Sequence, residues 1–164
     1  MGELVVRAAD ASQREIVAAL LTGSWGSTTV VAHGIAYDAA ALPALIAWLD
    51  GGPVGLLTYE LGTDGLEVVT LDAVVAGAGV GSALLEAAAN RAWAAGASRV
   101  WLITTNDNLD ALRFYQRRGM RLVGLAPGAV DRSRAVKPSI PLVGEYGIEI
   151  RDELTLELRR GWFR

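Results

Sequence analysis

The chain has 164 residues, 52% of them apolar, a formal net charge of −3, one histidine and no cysteine. That length suits one domain with a sizeable core. The composition excludes disulfides, thiolate metal sites, an acyl-cysteine intermediate and a multi-histidine metal centre, and the charge argues against a general nucleic-acid surface.

Residues 4–8 read as a first strand. Asp10 or Ser12 then caps a helix over 13–21, with Ile16, Val17, Leu20 and Leu21 on its buried face. Gly23-Ser24-Trp25-Gly26-Ser27 ends it, leaving Trp25 between glycines in a loop, as the lid or wall of a site or as a plug over the core. Residues 28–37 are extended without clean alternation. They carry His33, which is either a base in a site or a satisfied structural residue. Residues 43–49 and 54–61 form strands joined at Asp50-Gly51-Gly52-Pro53, and 62–65 turn again into a third.

That third strand, 66–75, leads into the stretch that organises the chain. It is β-branched and mostly apolar, as a buried strand should be. Ala76-Gly77-Ala78-Gly79-Val80-Gly81 follows, and Ser82 opens a helix over 82–95. A strand aimed at a glycine turn that opens a helix suits an anion, because the first N–H groups of a helix are unpaired and its dipole is positive there. The glycines fall as G-x-G-x-G, not as the dinucleotide G-x-G-x-x-G, and the lysine of a P-loop is missing. An ordinary tight turn has the same appearance.

Residues 99–105 form a continuous apolar strand, which implies burial on both faces and a parallel crossover from 66–75. Asn106 or Asp107 caps a short helix ending near Arg118, with Leu109, Leu112 and Phe114 or Tyr115 buried and Gly119 as the stop. Residues 120–125 form a strand. Residues 126–150, with Pro127, Pro138 and Pro141, read as a long loop of functional type. Residues 153–159 alternate Leu154, Leu156 and Leu158 against Glu153, Thr155 and Glu157 as a closing strand. There is no repeat, low-complexity tract or linker, so a single domain over 1–164 is expected. The opening residues do not read as a secretory signal, and no apolar run reaches membrane-spanning length. A cytoplasmic protein without a membrane or nucleic-acid partner is the expectation.

Val75-Ala76-Gly77-Ala78-Gly79-Val80-Gly81-Ser82-Ala83-Leu84-Leu85 resembles the acetyl-CoA pyrophosphate loop of the GCN5-related N-acetyltransferase (GNAT) family. Asn106-Asp107-Asn108-Leu109-Asp110-Ala111-Leu112-Arg113-Phe114-Tyr115-Gln116-Arg117-Arg118-Gly119-Met120 resembles that family's N-x-x-A-x-x-F-Y-x-x-x-G-F segment, in the right order and at the right distance. Two departures stand out. Ala76 replaces the usual Arg or Gln, removing one pyrophosphate contact, and Met120 replaces the usual Phe.

The resemblance implies an α/β fold of GNAT type: a mixed central sheet with an antiparallel N-terminal meander, splayed central strands and flanking helices. It implies acetyl-CoA as donor and a primary amine as acceptor, with direct transfer in a ternary complex. A catalytically inactive acyl-CoA sensor on the same fold is the alternative, and a different phosphate-binding fold is a third reading. Homodimers are common among the proteins it resembles. Cofactor contacts fall on Ala73, Val74, Val75, Gly77, Ala78, Gly79, Val80, Gly81, Ser82, Asn106, Asn108, Ala111 and Tyr115. The pantetheine arm pairs with free backbone groups of 73–75 as a pseudo-strand, and the N–H of Val74 or Val75 polarises the thioester carbonyl. Asn108 is a cofactor ligand or simply a helix cap.

Tyr115 resembles the family's general acid toward the thiolate, its other role being core packing. For the base, Glu67 matches the family's strand carboxylate better than Asp72, and either also suits a solvated strand residue. Their odd spacing puts them on opposite faces of a regular strand, unless a bulge near Ala73 re-aims Asp72. Trp25 and His33 are weak acceptor-site candidates. Arg132, Arg134 and Lys137 suit an amine that also carries a carboxylate or phosphate.

Overall fold

A computed structural model describes residues 2–162 of the chain. Among them, nine strands and four α-helices are formed. Strands β1 (Leu4–Ala8), β4 (Ala44–Leu49), β5 (Gly52–Gly62), β6 (Gly65–Ala73), β7 (Arg99–Thr105), β9 (Glu153–Arg159) and β8 (Arg121–Ala126) lie in that order in one seven-stranded sheet. Strands β2 (Thr29–Ala32) and β3 (Ile35–Asp38) form a separate pair. The helices are α1 (Arg14–Trp25), α2 (Val80–Ala94), α3 (Leu109–Arg117) and α4 (Ala129–Val136). No helix among the described residues is long and apolar enough to cross a membrane.

The chain divides into two compact units, one of residues 2–30 and 38–100, the other of residues 31–37 and 101–162. In the first, β1, β4, β5 and β6 make the expected antiparallel meander. The start of β7 lies beside the start of β6, where Arg99 Nε donates to the Asp64 carbonyl at 2.8 Å, so β6 and β7 begin side by side as a crossover through α2 requires. The core gathers Val17 and Leu21 of α1 against Ile46 of β4 and Leu56 of β5. The inner side of α2 buries Leu84, Leu85, Ala88 and Ala92. Gly55 is required here, because a Cβ would run into Val80 and Leu84. The start of α2 therefore sits almost on the β5 backbone.

Several elements differ from the sequence-based expectation, and the strand expected over 66–75 already ends at Ala73. Helix α1 runs to Trp25, four residues beyond 21, and stops at Gly26 in the left-handed conformation, whose N–H donates to the Thr22 carbonyl at 2.9 Å. Trp25 is thus a helical residue rather than a loop one. Residues 28–37 are not one extended stretch but the β2–β3 hairpin, turned at His33 (φ 40°) and Gly34 (φ 76°). Residues 126–150 are not one long loop, since they contain α4, with Ala129, Val130 and Ser133 buried.

In the second unit β8 and β9 are antiparallel. β7 alternates, with Val100, Leu102 and Thr104 buried and the residues between them half-buried, so only one face is fully covered. Tyr115 is buried on α3, whereas Leu109 is exposed, contrary to its expected core role.

Candidate functional site

In the first unit, the site is built on the end of β6. Partners on β5 shift register between Thr58 and Tyr59, with Thr58 opposite Thr70 and Tyr59 opposite Val68. Val69 is the extra residue of a β-bulge. Glu67 lies opposite Glu60 and Asp72 opposite Leu56, four residues apart on β5. An even separation keeps cross-strand partners on one face. The expectation that Glu67 and Asp72 face opposite sides is therefore corrected, and the bulge responsible lies at Val69 rather than near Ala73. A buried Thr58–Thr70 hydroxyl pair at 2.7 Å sits beside it.

The two carboxylates occupy different surroundings. Glu67 is 5% exposed and makes a polar interaction of its own. Asp72 is half-buried and accepts a hydrogen bond from Trp25 Nε1 at 2.5 Å on Oδ2. Its Oδ1 has no hydrogen-bond partner among the described residues. Burial pushes the Asp72 carboxyl above its ordinary range, and the bond from the indole pulls the other way more weakly. Trp25 is 42% exposed, so it forms a wall rather than a plug.

Beyond β6 the chain turns outward, and Ala73 through Gly79 are all exposed. The Val74 N–H donates to the Val54 carbonyl at 2.8 Å. Val74 thus has no N–H left for a thioester carbonyl, and of the two expected donors that one is ruled out. The Val75 N–H has no partner among the described residues. Gly77 (φ 77°) and Gly79 (φ 74°) both adopt the left-handed conformation, and a Cβ at either meets nothing within 4 Å. Glycine is needed there for backbone shape, and the space over the turn is open. Gly79 is the N-cap of α2 and supplies no side-chain cap. The N–H groups of Val80 and Gly81, in the first turn, point out of the helix start without intrahelical partners. The Val80 side chain is buried, so only its backbone faces the turn. Ala78 and Ser82 complete the turn. Small side chains, open space and unpaired N–H groups fit a diphosphate.

In the second unit, the other predicted cofactor segment is internally satisfied. The Asn108 Oδ1 accepts from the Ala111 N–H at 3.4 Å and its Nδ2 donates to Thr104 at 3.1 Å, so Asn108 caps α3. The Asn106 Oδ1 accepts from the N–H groups of Arg151 (2.9 Å) and Asp152 (3.0 Å), while its Nδ2 donates to the Glu149 carbonyl at 2.9 Å. Asn106 is a clamp on residues 149–152, not an available cofactor ligand. Neither Asn106 nor Asp107 is the expected cap of α3: Asp107 is buried and accepts from the Thr105 hydroxyl at 2.5 Å and the Glu145 N–H at 3.0 Å. Tyr115 packs edge-on against Phe114, ring centres 5.3 Å apart.

The basic trio is not a cluster for an anion. Arg134 bonds Asp131 (2.7 Å) and the carbonyls of Pro141 (2.7 Å), Ile150 (2.7 Å) and Ile140 (3.3 Å). Four of its five N–H groups are taken by the fold. Arg132 is exposed two helical positions away, and residues at that spacing do not face the same way. Lys137 already has a partner of its own. His33 is half-buried, with Tyr37 Oη 3.0 Å from its Nε2 and its ring beside Trp101, so it is a packed residue of the hairpin turn.

The acetyltransferase (GNAT) family model matches residues 13–120, from α1 through the end of the α3 segment. The chain belongs to the GNAT acetyltransferase family. YxbD, an uncharacterized protein of Bacillus subtilis (strain 168), is 40% identical over 144 residues, covering 87% of this chain and 91% of that one. YdhI of the same organism is 37% identical over 131 residues, covering 79% and 82%. Among solved structures, an IAA acetyltransferase from Bacillus cereus ATCC 14579 superposes with a TM-score of 0.74 at 21% identity, covering 96% of this chain and all of that one. A Bacillus subtilis acetyltransferase in complex with CoA follows at 0.71 and 18%, covering 96% and 99%. An Elizabethkingia anophelis GNAT acetyltransferase with acetyl-CoA bound scores 0.68 at 16%, covering 96% and 98%. These structures share the fold of this GNAT chain, and family membership supports acetyl transfer as its general chemistry.

Proposed function

We propose that this chain is an acetyl-CoA-dependent N-acetyltransferase acting on a small-molecule primary amine by direct transfer. The observation that carries the reading is the β6–α2 turn, with two left-handed glycines, no side-chain cap and unpaired N–H groups, in a chain of a family of acetyltransferases. The donor supplies an activated thioester. The turn from Gly77 to Ser82 holds its diphosphate, and the unpaired N–H of Val75 is the donor left to polarise the thioester oxygen. The donor is a highly charged intracellular metabolite, which fits work in the cytoplasm.

The amine arrives protonated, because alkylamines ordinarily titrate near 10. One proton passes to a β6 carboxylate, Glu67 or Asp72, and the freed nitrogen bonds to the acetyl carbon. The C–S bond breaks, and the thiolate takes a proton from the Tyr115 hydroxyl. The nitrogen sheds its second proton as the amide forms. One of the two protons restores Tyr115 through solvent, and the other is the net proton released.

Two measurements test this. Thermal unfolding with acetyl-CoA, ATP and NAD tests the donor: a ligand at about 100 times its Kd adds about 2.7 kcal/mol. Acetyl-CoA alone is expected to raise the midpoint. Release of free CoA thiol with a panel of amines tests turnover. Binding without turnover for any amine would make the chain an acyl-CoA sensor, and no shift with acetyl-CoA would overturn the donor assignment.

A further inference from the structure

The acetyl-transfer reading leaves open which carboxylate acts and what kind of amine it meets. We infer that Trp25 and Asp72 together form the seat of the acceptor's ammonium group, and that the acceptor is an amine carrying no carboxylate or phosphate. This rests on the acetyl-transfer reading.

Several independent features converge on this pair. The Trp25 indole edge, from the last residue of α1, donates to Asp72 Oδ2 across 47 positions of sequence. That bond fixes the carboxylate by Oδ2 and leaves Oδ1 without a hydrogen-bond partner among the described residues. Trp25 is 42% exposed and makes no aromatic or cation–π contact among the described residues. A carboxylate with an open oxygen, next to a partly exposed indole, attracts an alkylammonium by charge and offers it a ring for cation–π contact. The Val69 bulge puts Glu67 on the same face of β6, buried and with a partner of its own, which leaves Asp72 as the open carboxylate of that face. No lysine, arginine or histidine occurs from Leu66 to Ser82, and the last turn of α1 is without a basic residue. An acceptor with its own carboxylate near the amine would meet the like charge of Asp72 at this seat.

Asp72, rather than Glu67, is then the proton acceptor. Glu67 is buried with a partner of its own, whereas Asp72 keeps an oxygen open. Desolvation makes Asp72 a stronger base than an ordinary carboxylate, which suits proton removal from an ammonium. The ammonium proton passes to Oδ1 and then to solvent, and the rest of the transfer is as above. Trp25 acts through Asp72 as a positioning residue and through its ring as a wall for the cation.

The test uses matched amines that differ by one carboxylate: tyramine against tyrosine, and cadaverine against lysine, with acetyl-CoA and detection of free CoA thiol. Wild-type protein is expected to favour the decarboxylated member by at least about tenfold in kcat/KM. Trp25→Phe, which keeps a ring but loses the N–H, is expected to lower kcat with acceptor KM near wild type. Trp25→Ala, which loses both, should also raise that KM by about two- to fivefold. Acetyl-CoA affinity, measured by calorimetry on each variant, should hold at the wild-type value and shows that the variants are folded. Equal or better use of the amino acid would overturn the inference, as would both Trp25 variants matching wild type. Acetyl-CoA binding with no turnover of any pair would overturn the seat and leave donor binding standing. Failure to bind acetyl-CoA would remove both.

Discussion

Two helix starts in this molecule are built alike and finished differently. Each follows a strand through a short turn: β6 into α2 in the first unit, β7 into α3 in the second. At α3 the first turn is closed from within. Asn108 caps the Ala111 N–H, while Asn106 and Asp107 bond to residues 145–152. At α2 the cap is a left-handed glycine with no side chain, and the N–H groups of Val80 and Gly81 stay open. A closed helix start is architecture, whereas an open one beside exposed backbone is a place for an anion. The family motif alone does not separate the two, since both segments belong to it.

The contrast can be broken from either side. The largest effect is expected at Asp72, on the open side. Asp72→Asn should lower kcat by about 10²-fold or more, as for loss of a general base, while acetyl-CoA affinity measured by calorimetry holds. On the closed side, Asp107→Ala leaves the Thr105 hydroxyl and the Glu145 N–H without their acceptor. Denaturant unfolding should show a loss of about 1–3 kcal/mol, with acetyl-CoA affinity unaltered. A comparable loss is expected for Gly55→Ala, which presses a methyl group on Val80 and Leu84 at the start of α2, about 1–3 kcal/mol.

The smallest expected effect is in pH dependence. Burial raises the Asp72 carboxyl in the folded protein. The folded state therefore holds this proton more tightly than the unfolded chain. The stability it contributes is fully present below the ordinary carboxylate range and is lost as pH rises through the elevated folded value. Asp72→Asn should flatten that slope in the unfolding midpoint between acid and neutral pH. An unchanged slope would mean that Asp72 is no more buried than a surface carboxylate. Activity and stability thus move in opposite directions for the same substitution, as expected where a base is held in a partly dry place.

Most of the frame was legible in the sequence because local signals and tertiary structure agree there. β7 lies over 99–105, as the apolar run indicates, and β9 begins at Glu153 and ends at Arg159, as the leucine alternation indicates. The glycine turn and its helix were legible for the same reason. The missed features depend on distant contacts. Val69 looks like any β-branched strand residue, and only its partners on β5 reveal the bulge that reverses the parity between Glu67 and Asp72. Thr22-Gly23-Ser24 is a poor helix sequence, yet α1 continues through it to Trp25, which bonds to a residue 47 positions away. α4 has eight residues, too few for local propensity to sustain. It is held by burial of Val130 and by the Arg134 bonds to Pro141 and Ile150. The same bonds explain why Arg134, legible only as a free cation, is not one.

The central claim is that the open turn between β6 and α2 binds the donor's diphosphate. The most direct measurement is calorimetric titration of acetyl-CoA into wild-type protein and into Gly77→Ala/Gly79→Ala. Neither added methyl group meets an atom within 4 Å, so any effect comes from backbone shape. The left-handed conformation costs an L-residue about 1–2 kcal/mol at each position. The account predicts saturable binding to the wild type and at least about tenfold weaker binding to the double variant. Equal affinity in the two proteins, or no binding to the wild type, would contradict it.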